Sequence, residues 1–284
     1  MQDLLNGLAQ GGVYALTGVG LVLIFSVVRV PNFAHGEPVM LGAVLPLVLA
    51  TAFGLNLALG IVVGIAGAAA MGWMFSAGVF GRLRNHPEVS LLIVSLALVV
   101  MIESVAVMLV GDAPRTLPGA PTTIIYLPGG QMPLTWAIIL AAALLATGGL
   151  LLFVRYTDAG RIMRAMALNP YAAQLMGIPI GRYQTLAFVI GSALAGLGGG
   201  LYGLAFPVQA TMGAVIALKA FIVIIFAGMG SIGGALAGGL LLGVVESFGA
   251  SYISTGYKDT FGFVFLLLVL LLKPDGLFGQ RETR

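Results

Sequence analysis

Residues 4–28 read LLNGLAQGGVYALTGVGLVLIFSVV and contain no charged side chain. Crossing ~30 Å of hydrocarbon takes about 20 helical residues, so this stretch reads as a transmembrane helix. The first basic residue is Arg29, after the apolar run rather than before it. A cleavable signal opens with a basic segment, so a retained span is expected. Similar stretches recur at 38–55, 57–79, 89–111, 134–154, 184–206, 214–230, 234–252 and 261–273. The expected fold is all-α: a polytopic helical bundle of about eight or nine crossings. Segments 29–40, 214–230 and 261–273 are candidates for broken, re-entrant or tilted passages. A single membrane domain over 1–284 is the economical organisation.

Composition supports this class. Of 284 residues 60% are hydrophobic and 8% charged, with mean hydropathy +1.08. Soluble domains carry about 25% charged residues, so lipid must solvate most of this surface. The net charge of +3 is small and scattered, which argues against nucleic-acid binding. No cysteine is present, which removes disulfides, thiolate catalysis and cysteine metal sites. No lysine is followed by Ser or Thr, so the GxxxxGK[ST] phosphate loop is absent. No catalytic constellation appears either, and any ATP hydrolysis must belong to another chain.

Basic residues in short loops mark the cytoplasmic side. Arg82 and Arg84, four arginines within 155–182, and Arg281 and Arg284 then lie inside. The loop 112–133 falls outside, and nine spans place the N-terminus outside too. That outer loop holds Pro114, Pro118, Pro121, Pro128 and Pro133, which predicts a stiff irregular element. Trp136 is placed as an interfacial anchor. Glycines four apart (Gly196/Gly200, Gly199/Gly203, Gly234/Gly238, Gly239/Gly243) predict close helix contacts, within the chain first and between subunits second.

Polar residues inside the apolar framework are the site candidates. Asn32, His35 and Glu37 lie in PNFAHGEP (31–38), where two prolines and a glycine argue for a broken helix. They could line a solute path or gate, or form a cap and loop network. The His35–Glu37 spacing is unlike a helical two-histidine site, so no metal site is expected. Glu103, Lys219 and Glu246 sit within spans. Such groups line a pathway, relay protons or pair with one another; Lys219, near the expected outer end, could instead snorkel. Asn6, Gln10, Tyr14 and Thr17 share one face of the first span, as a pore lining or a helix contact.

The internal stretch 155–183, RYTDAGRIMRAMALNPYAAQLMGIPIGRY, is charged and punctuated by Pro and Gly. Asn169-Pro170 reads as an N-cap with proline at the first helical position. A short helix through Met176 follows, ended by Gly177. An insert of this kind on the cytoplasmic face suggests a docking element.

NFAHGE (32–37), AGRIMRAMALNPYAAQLMGI (159–178) and GYKDTFGFVFLLLVLLLKPDGLFG (256–279) together resemble the permease subunits of branched-chain amino acid ABC importers, the LivH type. The resemblance runs from the first span to the last. It implies a bacterial inner-membrane, multi-pass transport subunit rather than an enzyme. The implied partners are a second, LivM-like permease, two cytoplasmic ATPases carrying ATP and Mg, a periplasmic binding protein, and membrane lipid. No cofactor is expected on this chain. By the same resemblance 155–183 would carry a coupling helix: Ala172, Ala173 and Gly177 match the family's EAA-x3-G pattern, while Tyr171 replaces its acid. Urea, amides and aromatic acids are alternative cargoes for this family. A proton-driven secondary transporter using Glu103 or Glu246, and a passive channel, are alternatives of other classes.

Overall fold

In a computed structural model the described residues are 2–83, 86–127, 130–228, 230–273 and 276–277. Arg84, Arg281 and Arg284, used above to argue topology, and Pro128, used to argue a stiff outer loop, lie outside them. Eleven α-helices account for most of the chain: α1 Gln2–Val28, α2 Gly36–Phe53, α3 Leu57–Met74, α4 Glu88–Val110, α5 Leu134–Tyr156, α6 Asp158–Leu168, α7 Pro170–Leu175, α8 Ile180–Ala205, α9 Met212–Ala227, α10 Ile232–Tyr252 and α11 Lys258–Leu272. Eight helical stretches are long and apolar enough to cross a membrane, and α9 is a shorter apolar helix. This is a multi-pass membrane protein.

Contacts sort the helix ends onto two faces. Gln2 at the start of α1 exchanges hydrogen bonds with Gln131 (Nε2 to O 2.8 Å, N to Oε1 3.1 Å). Ser247 of α10 donates to the carbonyl of Asp3 at 2.8 Å. Arg115 and Val208 form a two-hydrogen-bond bridge between the α4–α5 and α8–α9 connections. On the opposite face Arg29 reaches α6, and Leu277 N donates to Phe226 O at 2.8 Å. A Cβ on Gly230, just past α9, would lie 3.8 Å from Ser26 Oγ near the end of α1, so residues 2 and 277 lie at opposite ends of the bundle.

Glycine sets the packing. α1 is the most enclosed helix, and α10 lies directly along it. A Cβ on Gly243 would fall 2.3 Å from Gly7 O, and one on Gly239 would fall 2.4 Å from Ala15 N. A Cβ on Gly199 of α8 would fall 1.9 Å from Val39 O of α2. The glycine pairs foreseen in α8 and α10 thus serve contacts within the chain, where absent side chains let backbones meet.

Two expectations change, and one open alternative is decided. The connection 112–133 is not wholly irregular: β1 Ile124–Leu127 pairs antiparallel with β2 Gly130–Pro133. Ile124, Ile125 and Tyr126 favour extended backbone, and Pro133 ends the pair. Residues 158–168 form a helix of their own, α6, capped by the Thr157 hydroxyl, which accepts from Gly160 N at 3.0 Å. Lys219 does not snorkel: it is 2% exposed and fully paired inside the bundle.

Candidate pathway and coupling site

After Val28 the chain leaves helical geometry and does not resume it until the single 3-10 turn Phe33–His35, which leads into α2. Asn32 caps that turn, its Oδ1 accepting from Ala34 N at 3.1 Å. Gly36 and Pro38 fall in the first turn of α2, where a missing N–H costs nothing. His35 Nε2 donates to the Thr17 carbonyl at 3.1 Å. Thr17 is eleven residues from the end of α1, about 16 Å of helix. The break 29–35 therefore dips from one face into the bundle, and α2 starts at depth.

The start of α9 meets it there. Gly36 and Gly213 touch through backbone: a Cβ on Gly36 would lie 1.9 Å from Gly213 O. Ala214 N, an amide of the first turn of α9, donates to Glu103 Oε1 at 3.2 Å. The α9 N-cap, Thr211, makes no capping bond of its own and instead donates to Asp112 Oδ1 at 3.0 Å. Glu103 thus caps α9 from α4, about 10 Å of helix in from the end of α4. Glu37 is fully buried beside Gly213, and neither of its carboxyl oxygens has a hydrogen-bond partner among the described residues. His35 Nδ1 is unpaired in the same sense. A cleft lined by Val28, Val30, Ser76, Phe80, Leu91 and Phe188 opens beside the break. The structure therefore brings Asn32, His35, Glu37 and Glu103 to one interior region.

Glu246 belongs elsewhere. Its Oε1 is ion-paired with Lys219 Nζ, and its Oε2 accepts from Tyr14 Oη at 2.9 Å. Gln10 donates to Tyr14 Oη at 2.6 Å, and Asp259 Oδ1 of α11 lies 3.0 Å from Lys219 Nζ. This network joins α1, α9, α10 and α11. The polar stripe of the first span is thus a helix contact at Tyr14 and Gln10. Both interior acids proposed as proton carriers have protein partners, one as an ion pair and one as a helix cap. Sequence reasoning missed Asp259 and the α9 start; the one available signal was a 16-residue helix with no capping acid of its own.

The internal element is built as its local chemistry dictates. Asn169 Oδ1 accepts from Ala172 N at 3.0 Å, Pro170 opens α7, and Gly177 takes φ 81° just beyond it. Ala173 points inward and is buried, whereas Tyr171, Leu175 and Met176 are 71%, 71% and 83% exposed. α7 lies on the same face as Arg29.

A family model described as "Branched-chain amino acid transport system / permease component" matches residues 3–272. The chain is 32% identical over 297 residues to the high-affinity branched-chain amino acid transport system permease protein LivH of Escherichia coli K12, covering 100% of this chain and 96% of that one. It is 33% identical over 301 residues to the corresponding protein BraD of Pseudomonas aeruginosa, with coverage of 100% and 97%. Among solved structures, PsaBC from Streptococcus pneumoniae in complex with Fab is similar, with a TM-score of 0.50 and 14% identity over 97% of this chain and 93% of that one, a likeness of fold alone. Matched along nearly its whole length, the chain belongs to the family of branched-chain amino acid transport permease components.

Proposed function

We propose that this chain is the inner-membrane permease subunit of an ATP-driven importer, moving branched-chain or other small amino acids handed over by a periplasmic binding protein. The observation that carries this reading is α7: a capped six-residue helix presenting Tyr171, Leu175 and Met176 away from the bundle. Apolar side chains held outward on a rigid, aqueous-facing helix fit a partner's groove. Two cytoplasmic ATPases binding ATP and Mg would occupy it, and a second, LivM-like permease would complete the membrane part. The cargo assignment follows the printed names of the relatives. ATP-driven closure of the ATPases would press α7, and the bundle would alternate access around the break at Asn32–Glu37. Arginines 155, 161, 164 and 182 flank this element in sequence, which supports a cytoplasmic position for it.

The test is retention and transport together. Tagged wild-type chain should co-purify with both ATPases and support ATP-dependent uptake in proteoliposomes holding the binding protein. Ala173→Glu, which forces a charge into the buried side of α7, should lower uptake at least about tenfold; that equals about 1.4 kcal/mol of lost coupling. Concentrative uptake by the chain alone would refute the proposal.

A further inference from the structure

One side chain joins the break after α1 to the end of α6 by hydrogen bonds. Arg29 directly follows α1 and has φ 59°, the one positive φ of a non-glycine among the described residues. Its guanidinium crosses to the end of α6. There Nη2 donates to the carbonyls of Ala167 and Leu168, the latter at 3.1 Å. Carbonyls of a helix's last turn lack intrahelical partners, and a cation there also suits the helix dipole. Leu168 ends α6, and α7 begins at Pro170. On the other side, Arg29 is three residues from Asn32, whose cap starts the turn bearing His35. The short path from α7 to the interior break thus runs through this guanidinium.

We propose that Arg29 is a positioning residue that transmits movement of α6–α7 to the buried segment Asn32–Glu37, linking the partner-facing helix to the pathway. The inference rests on the importer reading above. Three features favour transmission over simple capping. The residue adopts a backbone conformation that any side chain other than glycine's disfavours, so its side chain is kept despite the local cost. Its Nη2 alone reaches two successive carbonyls, so one side chain holds the last turn of α6. And it lies at the one point where α1 stops being helical, where a pull changes backbone angles rather than moving a rigid rod.

Arg29→Gly separates these roles, because glycine accepts φ 59° without strain while both hydrogen bonds to α6 are lost. The assay is the assembled complex in proteoliposomes, with ATP hydrolysis and amino acid uptake measured on the same preparation. Arg29→Gly should retain the ATPases and hydrolyse ATP, yet uptake per ATP should fall by roughly fivefold or more, the lower end of usual coupling between sites. Arg29→Lys should recover part of that loss. Uptake per ATP within about twofold of wild type in Arg29→Gly overturns the proposal. Loss of ATPase retention in both variants also overturns it, since Arg29 would then be a folding or docking residue. If the wild-type chain itself retains no ATPase, the importer reading fails first, and this inference with it.

Discussion

Removing the two partners of the Lys219–Glu246 pair should have unequal effects, because the structure gives their survivors unequal company. Both residues are almost entirely inaccessible, at 2% and 0% exposure. Lys219→Met leaves Glu246 with a single donor, the Tyr14 hydroxyl at 2.9 Å. Stranding one member of a buried pair costs about 3–5 kcal/mol. Glu246→Leu leaves Lys219 beside Asp259 at 3.0 Å, so the loss from the pair is closer to one charged hydrogen bond, about 2 kcal/mol. The double variant Lys219→Met/Glu246→Leu strands neither group. Apolar replacement of a buried pair is often neutral, so this variant should lie within about 2 kcal/mol of wild type. A coupling energy of about 3 kcal/mol or more follows from the cycle. Reversible unfolding in mixed micelles, followed by tryptophan fluorescence and corrected for any change in slope, would measure all four proteins. Equal losses in the two single variants, or strict additivity in the double, would refute the idea that Asp259 is a standby partner and that the pair is structural.

Other consequences are simpler to read. Gly36→Ala places a methyl 1.9 Å from the Gly213 carbonyl oxygen, and since backbone must move, it should cost about 1–3 kcal/mol or more; Gly149→Ala, with open space at its Cβ position, should be neutral to stabilising by about 0.5–1 kcal/mol in the same unfolding experiment. Glu103→Ala should unhook the start of α9 at about 1 kcal/mol, seen as faster hydrogen exchange at the Ala214 amide, while Glu103→Gln keeps an acceptor and most of the protection. Gly177→Val should destabilise the α7 end by about 1–2 kcal/mol through φ alone, since nothing lies within 4 Å of that position; Gly177→Asn should be milder, with protease cleavage of the 169–178 segment as the readout.

What was legible in the sequence follows the range of the forces involved. Residues 4–28 announce a span because bilayer thickness fixes helix length regardless of neighbours. Asn169, Pro170 and Gly177 announce α7 because capping and φ preference act within a few residues. α6 was overlooked because prolines and glycines around it, at Pro170, Gly177 and Pro179, drew the reading towards loop, although Thr157 supplied its cap. Lys219 was left open between a buried pair with a glutamate and a snorkelling cation, because sequence does not show that α9 begins inside the bundle at Gly213, which moves every following residue inward. Asp259 and Tyr14 reach Lys219 and Glu246 from elements at opposite ends of the chain, and no local pattern encodes such pairings.

The polar interior then divides by what each group does for the backbone around it. Lys219, Glu246, Tyr14 and Asp259 satisfy one another and tie four helices together. Asn32 and Glu103 satisfy helix-start amides that their own elements leave open. Glu37 does neither: its oxygens lack partners among the described residues, while its own helix and α9 both direct N-terminal ends at its surroundings. Helix N-termini aimed at these acids offset part of the cost of placing them at this depth. A tied network resists motion, whereas a side chain with no hydrogen bond to break gives up fewer contacts when its neighbours shift. The region able to rearrange is therefore the meeting of the 29–35 break with the α9 start, and Arg29 attaches that region to α6 and α7. If Asn32→Ala, which frees the Ala34 amide, leaves folding intact but alters uptake while Tyr14→Phe alters folding and not uptake, that division is correct; the reverse pattern would assign movement to the ion-pair network instead.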